Sequence, residues 1–175
     1  CAGGITPWGT WITCEETTLN AGDLKGQLEQ DHGYVFEVPA SENIRLNPAK
    51  PIKEMGRFNH EAVAVDPKTS IVYLTEDRGD GLFYRFIPTV PGKLHKGGKL
   101  QALAIKGQKS RDTRNWKDLP GPKFPKNQGI AVEWIDLEDI DAPKDDLRHR
   151  GFESGAAVFA RGEGIWFGEG ELYFA

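Results

Sequence analysis

A hairpin pattern that recurs along the chain limits its possible architecture more than any other feature of the sequence. Each copy consists of a short apolar strand, a turn, and a second apolar strand running towards polar residues. The three copies occupy residues 1–16, 60–77 and 161–175. Repetition of antiparallel hairpins at long intervals is typical of a β-propeller whose blades carry insertions. The repeat therefore predicts an all-β fold of the propeller type, with four antiparallel strands in each blade.

A third type of strand follows the first and the central hairpins. It begins at glycine, is rich in aromatic residues and stops at proline, at residues 33–39 and 81–88. The last hairpin lacks this successor because the sequence stops there. We therefore expect about one complete blade and two partial blades. Residues 1–175 are interpreted as part of a single propeller domain, as a fragment truncated at both ends.

Local alternation of apolar, β-branched and aromatic residues predicts the individual strands. Besides the start of the chain, they are residues 10–14, 33–38, 62–65, 71–75, 82–87, 100–105, 131–135, 165–167 and 172–174. The segment Asp66-Pro67-Lys68-Thr69 predicts a tight turn, because proline fixes φ and aspartate bonds its own backbone. Residues 107–129 and the charged residues 137–154 are interpreted as surface loops.

Composition excludes several classes of protein. The chain has 22 Lys and Arg against 26 Asp and Glu, which gives a net charge of −4. That balance argues against a nucleic-acid partner, since nucleic-acid-binding domains are usually basic. No apolar run is long enough for a membrane span. The two cysteines, Cys1 and Cys14, are too few for a disulfide framework, and each could be a buried thiol, half of one bridge or a metal ligand.

The repeat also predicts where ionisable side chains meet. In a propeller, the first strand of each hairpin begins, and the second ends, at the same rim. The groups placed at this rim are Cys1, Glu15, Glu16, Glu61, Glu76, Asp77 and Glu163. Carboxylates at such density repel one another unless a cation binds them. Oxygen ligands suit calcium, and an added thiolate suits iron or zinc. Acids at strand ends are also common on ordinary surfaces, so the pattern alone leaves both interpretations open.

One arginine accompanies these acids. Residues i and i+2 of a strand face the same side, so Arg161 and Glu163 are expected to point together. A guanidinium beside metal-bound carboxylates could clamp a phosphate group, because its planar fork matches phosphate oxygens. A structural ion pair between Arg161 and Glu163 has the same spacing and is the commoner arrangement.

Several segments together resemble the PhoX-type alkaline phosphatases. They follow one another in order over almost the whole chain and occupy residues 1–16, 32–38, 56–67, 72–78, 81–86 and 160–166. Each segment alone is a weak signal, whereas the ordered set is specific. The segments include Cys1-Ala2-Gly3-Gly4-Ile5, His60-Glu61-Ala62 and Arg161-Gly162-Glu163.

The resemblance implies a six-bladed propeller that hydrolyses small phosphomonoesters with an iron and calcium cofactor. It implies that Cys1 is an iron ligand, that Glu61 and Glu163 are metal ligands, and that Arg161 is catalytic. The further metal ligands that it suggests are Glu16, Glu76 and Asp77. It also implies export to the periplasm or out of the cell, where such an enzyme serves phosphate acquisition. We further expect a monomer.

Two other functions are compatible with the same fold, because a fold does not fix a function. One is a calcium-dependent lactonase-like hydrolase, which needs no iron. The other is a non-catalytic propeller that serves as a binding scaffold. The first predicts bound calcium alone, and the second predicts no hydrolysis and tolerance of Cys1→Ser.

Overall fold

The computed structural model describes residues 2–175, and Cys1 lies outside the described residues. Strands dominate, and every pairing within the sheets is antiparallel. The strands are β1 (Gly4–Ile5), β2 (Thr10–Cys14), β3 (Val35–Pro39), β4 (His60–Val65), β5 (Val72–Glu76), β6 (Phe83–Pro88), β7 (Gly98–Ile105), β8 (Val132–Asp136), β9 (Ile165–Gly168) and β10 (Glu171–Phe174). The strands predicted from residue 10 onwards are present, and their ends lie within two residues of the predicted ranges, whereas β1 covers only Gly4–Ile5.

The strands of the described residues form three sheets. Their orders are β1-β2-β3, β4-β5-β6-β7-β8 and β9-β10. In each sheet the strands follow chain order, both where a short turn joins antiparallel neighbours, as between β4 and β5, and where a long connection does, as between β7 and β8. The predicted turn between β4 and β5 is confirmed: the Asp66 carboxylate accepts hydrogen bonds from the Lys68 N–H at 2.9 Å and from the Thr69 hydroxyl at 2.7 Å.

The central sheet has five strands rather than the four expected of a blade. The additional strand is β8, which pairs with β7 from Gln101–Asp136 to Ile105–Val132. The prediction of four strands was wrong for this sheet, because the chain returns after a long connection and pairs with the outer edge of β7. Sequence alternation revealed β8 as a strand but not the sheet that it joins.

The first strands of the three sheets lie side by side, as in neighbouring blades of a propeller. β4 packs against both β1 and β9, and Gly3 forms a parallel bridge with Ala62. The approach is close at Gly4, where an added Cβ would lie 2.1 Å from the Val63 carbonyl oxygen. Glycine is therefore needed here for steric reasons, and this contact fixes the first sheet against the second.

The hydrophobic core lies mainly between the first and the central sheets. Its buried members include Ile12 and Val35 from the first sheet and Leu74, Tyr84 and Phe86 from the central one. Burial of such side chains contributes about 1.5–3 kcal/mol each. The sheets that carry the ionisable rim are thus held together by apolar packing.

The last sheet contacts the central sheet through aromatic rings. Phe174 of β10 stacks on Phe83 of β6 with ring centroids 4.2 Å apart, and Phe159 meets Phe174 edge-on at 5.8 Å. Such pairs add about 0.5–1.5 kcal/mol beyond their buried area.

Helical segments are few and short. They are the four-residue turn α1 (Asp23–Gly26), whose Leu24 and Lys25 have left-handed backbones, the helix α2 (Leu147–Ser154) and two single 3-10 turns, Lys53–Met55 and Leu94–Lys96. None of the helices in the described part of the chain is long and apolar enough to cross a bilayer.

The prediction that residues 137–154 form a loop was wrong over the length of α2. The sequence of α2 carries no apolar periodicity, and tertiary contacts hold it instead. Leu147 is buried in the core. The Arg148 guanidinium donates to Asp80 Oδ1 at 3.0 Å and to the Asp145 carbonyl at 2.7 Å. A helix stabilised in this way leaves little trace in local sequence.

Candidate metal centre

Three carboxylates from two sheets converge at one end of the innermost strands. They belong to Glu16, Glu61 and Asp77, and one oxygen of each lies within 4.8 Å of the others. Glu16 follows the end of β2, Glu61 is the second residue of β4, and Asp77 follows the end of β5. Strand starts and returning strand ends thus meet at one rim, as expected for hairpins that share a direction.

A β-bulge positions Glu61. The pairing of β4 with β5 is regular from Val63 to Val65, but the register shifts between His60 and Val63. The Glu61 carbonyl accepts from the N–H groups of Ala2 and Gly3, both at 3.0 Å. Bulges re-aim side chains beside functional sites, and this one lies where β1 and β4 meet.

Glu15 and Glu16 have different surroundings. The Glu15 carboxylate accepts from the N–H groups of Gly33 at 2.8 Å and Tyr34 at 3.0 Å, and it lies 2.8 Å from His32 Nδ1. Glu15 therefore links the end of β2 to residues 32–34, which directly precede β3. Neighbouring residues of an extended chain point to opposite sides, and Glu16 is the one in the cluster.

Glu76 and Asp77 also point to opposite sides, and only Asp77 lies in the cluster. The Glu76 side chain is fully buried, and its Oε2 accepts from the Leu82 N–H at 3.0 Å and the Tyr84 hydroxyl at 2.8 Å. Burial raises the pKa of Glu76 to about 7. The structure does not bring Glu76 into the carboxylate cluster, whereas it places Asp77 there.

Arg161 reaches the cluster by an unexpected route. It does not lie in a strand, since β9 begins at Ile165, and its backbone is left-handed with φ of 59°. The strand geometry expected for residues 161–163 was therefore wrong. The side chains nonetheless converge: Arg161 Nη1 lies 2.8 Å from Asp77 Oδ1, and Nη2 lies 3.7 Å from Glu163 Oε1. The Arg161 side chain is 60% exposed and so remains accessible to a small anion.

The acids influence one another electrostatically. Burial raises the pKa of Glu61, and the negative charges of Glu16, Glu163 and Asp77 raise it further. Burial, aided by the charge of Glu61, raises the pKa of the nearby Cys14 thiol to about 12. Cys14 is a free and buried thiol. The site is therefore a cluster of mutually repelling carboxylates that a bound cation would stabilise.

The donor set of the described residues fits a hard cation. All three members of the cluster supply carboxylate oxygens, which calcium prefers. The predicted thiolate ligand, Cys1, lies outside the described residues. Two residues further on, the Gly3 carbonyl accepts from the Val63 N–H at 3.3 Å. The segment that follows Cys1 thus runs along β4, the strand that carries Glu61.

Sequence reasoning missed one polar residue next to this site. Thr75 is fully buried on β5, and its hydroxyl contacts the backbone of Ala62 and of Glu163. The signal was available, because Thr75 is a hydroxyl-bearing residue in an otherwise apolar strand that leads directly into Glu76 and Asp77. Threonine is also a common strand residue, so its presence in β5 alone does not indicate a role at the site.

Together, the fold and the cluster define a class of protein: an antiparallel propeller assembly with carboxylates gathered at one end of its innermost strands. The sequence profile described as "Alkaline phosphatase PhoX" matches residues 1–175, and the chain belongs to this family. No curated protein sequence matches the chain.

A solved structure supports the fold. It is described as Pseudomonas fluorescens PhoX in complex with vanadate, a transition state analogue, and it matches this chain with a TM-score of 0.61 and 22% sequence identity. The match covers 99% of this chain and 38% of that one, so the chain spans less than half the length of the solved relative. The fold is accordingly that of a β-propeller, with blades only partly represented.

Proposed function

We propose that the protein containing this chain hydrolyses small phosphomonoesters with an iron and calcium cofactor. The observation that carries the proposal is the convergence of Glu16, Glu61 and Asp77 beside the Arg161 guanidinium in a chain of the alkaline phosphatase PhoX family. Family membership supports the reaction, and the oxygen donors support the cation. Export to the periplasm or out of the cell is part of the proposal and rests on the family alone.

The residues would divide the work as follows. Glu16, Glu61 and Asp77 would hold the cations, joined by Glu163, whose charge already acts on Glu61. Cys1 would add a thiolate for iron, which is supported only by its position in the family segment. When bound, iron and calcium supply Lewis acidity and neutralise phosphate charge. Glu76 would not bind a cation but would hold the end of β5 in place through its hydrogen bonds to the Leu82 N–H and the Tyr84 hydroxyl.

Arg161 would act on the phosphoryl group. Phosphoryl transfer spreads negative charge over the three equatorial oxygens, and catalysis depends on placing positive charge against them. The exposed Arg161 fork is held at the cluster by Asp77 at 2.8 Å. It can therefore stabilise the charge that develops on the phosphoryl oxygens, with little reorganisation during the reaction.

The decisive experiment replaces Arg161 with glutamine in the whole protein and measures kcat/KM for p-nitrophenyl phosphate. We expect kcat/KM to decrease about 100-fold or more, because removal of one preorganised group that stabilises transition-state charge usually lowers the rate by this factor. Arg150→Gln is the matched control, since Arg150 also pairs with an acid, Asp146 at 3.2 Å, but on α2. An unchanged kcat/KM for Arg161→Gln would exclude the clamp.

Vanadate provides a second readout. If Arg161 acts in the transition state, the Arg161→Gln change should raise the inhibition constant of vanadate by the same factor by which it lowers kcat/KM, because transition-state analogues follow transition-state binding. Loss of activity without any change in vanadate inhibition would point to a structural role for Arg161.

A calcium-dependent lactonase-like hydrolase is the second candidate. The observation in its favour is that the three clustered ligands are all oxygens, which calcium can satisfy without iron. Metal analysis of the purified whole protein separates the two. Iron together with calcium supports the phosphatase, whereas calcium alone with lactone hydrolysis supports the alternative. A protein that hydrolyses neither substrate would be a scaffold.

A further inference from the structure

One buried hydroxyl connects the segments that carry the acids of the site. Thr75 is fully buried on β5, immediately before Glu76 and Asp77. Its Oγ1 lies 3.1 Å from the Ala62 backbone nitrogen and 2.7 Å from the Glu163 carbonyl oxygen. These partners belong to β4 and to the segment before β9, so a single side chain joins three parts of the chain.

The contact with Ala62 compensates for the β-bulge. The register of β4 against β5 shifts between His60 and Val63, which removes Ala62 from the regular ladder. The Ala62 N–H donates to the Thr75 hydroxyl instead. A buried N–H without an acceptor is destabilising, so the threonine stabilises the irregular backbone that aims Glu61.

The contact with Glu163 stabilises the segment that carries Arg161. Arg161 has a φ of 59°, which is unfavourable for a residue with a side chain. Its N–H donates to the Arg78 carbonyl at 2.7 Å, and the Gly162 N–H donates to the Glu76 carbonyl at 3.1 Å. The Glu163 N–H donates to the Ala175 carbonyl at 2.8 Å, and the Thr75 hydroxyl adds a side-chain bond to these three backbone bonds.

The direction of the hydroxyl proton follows from these distances. Thr75 Oγ1 lies nearer to the Glu163 carbonyl, at 2.7 Å, than to the Ala62 carbonyl, at 3.3 Å. A hydroxyl has one proton and two acceptor lone pairs. It therefore donates to the Glu163 carbonyl and accepts from the Ala62 N–H. Valine and alanine have no hydroxyl and can form neither bond.

We propose that the Thr75 hydroxyl is a positioning group that holds Glu61 and the Arg161–Glu163 segment in register around the carboxylate cluster. This inference rests on the proposed function and adds a residue to its site. Thr75 does not touch the substrate. It acts by fixing two backbone segments whose side chains bind the cation and the phosphoryl group.

The test compares Thr75→Val with Thr75→Ser in the whole protein. Valine keeps the shape and removes both bonds, whereas serine keeps the hydroxyl. Calcium affinity is measured by titration calorimetry with calcium alone, and kcat and KM with p-nitrophenyl phosphate. We expect Thr75→Val to weaken calcium binding and lower kcat/KM by about 10-fold or more each, as is usual when a group that supports metal ligands is removed.

Thr113→Val is the matched control. The Thr113 hydroxyl also donates to a backbone carbonyl, that of Val158 at 2.6 Å, but it lies in the loop after β7. We expect Thr113→Val and Thr75→Ser to remain within about 3-fold of the natural protein, because neither loses a bond that supports the cluster. If Thr75→Val does not fold, Thr75→Ala is compared with Thr113→Ala by the same measurements.

The outcomes separate this inference from the proposed function. Near-natural calcium affinity and kcat/KM in Thr75→Val would overturn the positioning role, as would equal losses in Thr75→Ser or Thr113→Val. If the natural protein does not hydrolyse the phosphomonoester, the proposed function fails. The calcium titration then still decides whether Thr75 supports the cluster.

Discussion

Arg161 Nη1 lies 2.8 Å from Asp77 Oδ1, so a guanidinium from the segment before β9 meets a carboxylate that follows β5. The pair joins two sheets at the rim where Glu16 and Glu61 also lie. Asp77 is buried, so its surroundings fix its carboxylate. Arg161 is largely exposed, and the ion pair with Asp77 orients its guanidinium. A cation bound by the carboxylates would share Asp77 with this arginine, and the two positive groups would lie on the same acid.

Glu61→Gln should weaken the stabilisation of the protein by calcium. Calcium should raise the melting temperature of the natural protein by about 5 °C or more at about 100 times its Kd, since binding to the folded state alone adds about 2.7 kcal/mol. Loss of one of the three clustered carboxylates should remove most of this shift. Differential scanning calorimetry with calcium and with a chelator measures it.

Glu133→Gln controls for the general loss of a negative charge. Glu133 is exposed on β8 and pairs with Ala104, away from the cluster. Its calcium-dependent shift should equal that of the natural protein. Equal shifts in all three proteins would contradict cation binding at the cluster.

Gly4→Ala should destabilise the junction between the first two sheets. An added Cβ would lie 2.1 Å from the Val63 carbonyl oxygen, which is backbone and cannot move aside alone. We expect a decrease of about 1–3 kcal/mol in the free energy of unfolding, measured by urea denaturation. Gly164→Ala is the control, since nothing lies within 4 Å of its added Cβ. A similar midpoint for both variants would show that β1 and β4 separate without cost.

Asp112→Asn should destabilise the loop after β7 in a pH-dependent way. The Asp112 carboxylate accepts from the Arg114 side chain, with Nη2 at 2.6 Å from Oδ2, and these bonds lower the pKa of Asp112. An acid whose pKa falls on folding contributes stability above its unfolded pKa, about 3.9, and loses it as the pH falls. The expected cost is about 1 kcal/mol at pH 7.

The cost of Asp112→Asn should therefore shrink as the pH falls below about 4. Urea denaturation at a series of pH values measures it. Asp118→Asn, on the exposed part of the same loop, is the control for the loss of a carboxylate outside the Asp112–Arg114 pair. A cost that stays constant down to pH 2 would disprove the charge-assisted bond as its source.

The Cys14 thiol should react slowly in the folded protein. It is 5% exposed, and burial, with the charge of Glu61, raises its pKa to about 12. Because the thiolate is the reactive form, alkylation by iodoacetamide at pH 8 should be at least about 100-fold slower than in urea. Peptide mass spectrometry distinguishes Cys14 from Cys1. Rapid labelling of Cys14 in the native state would indicate that the end of β2 opens readily.

The strands could be predicted from the sequence because their buried positions carry apolar residues in a recognisable pattern. β4 is fully buried and is a continuous apolar run after Glu61, and β5 and β6 are almost as buried. α2 was not accessible, because Arg148 holds it through Asp80, a residue far away in the chain. Local sequence does not record contacts of this kind.

The site was partly accessible for the same reason. The hairpin repeat indicated which strand ends meet, but it could not distinguish Glu15 from Glu16 or Glu76 from Asp77. That distinction depends on where β2 and β5 end relative to Tyr34 and Tyr84, whose N–H and hydroxyl bind the inward-facing acids. The left-handed backbone at Arg161 had no signal in the sequence, since arginine rarely adopts it.

The bulge at Glu61 couples the carboxylate cluster to the contact between the first and the central sheets. The Glu61 carbonyl holds Ala2 and Gly3, while the next N–H is held by Thr75. Pulling β1 away from β4 must therefore disturb the backbone that presents Glu61. Opening of this seam and release of a bound cation would be one event, so a chelator would act as a mild denaturant and a tightly bound cation as a clasp between sheets.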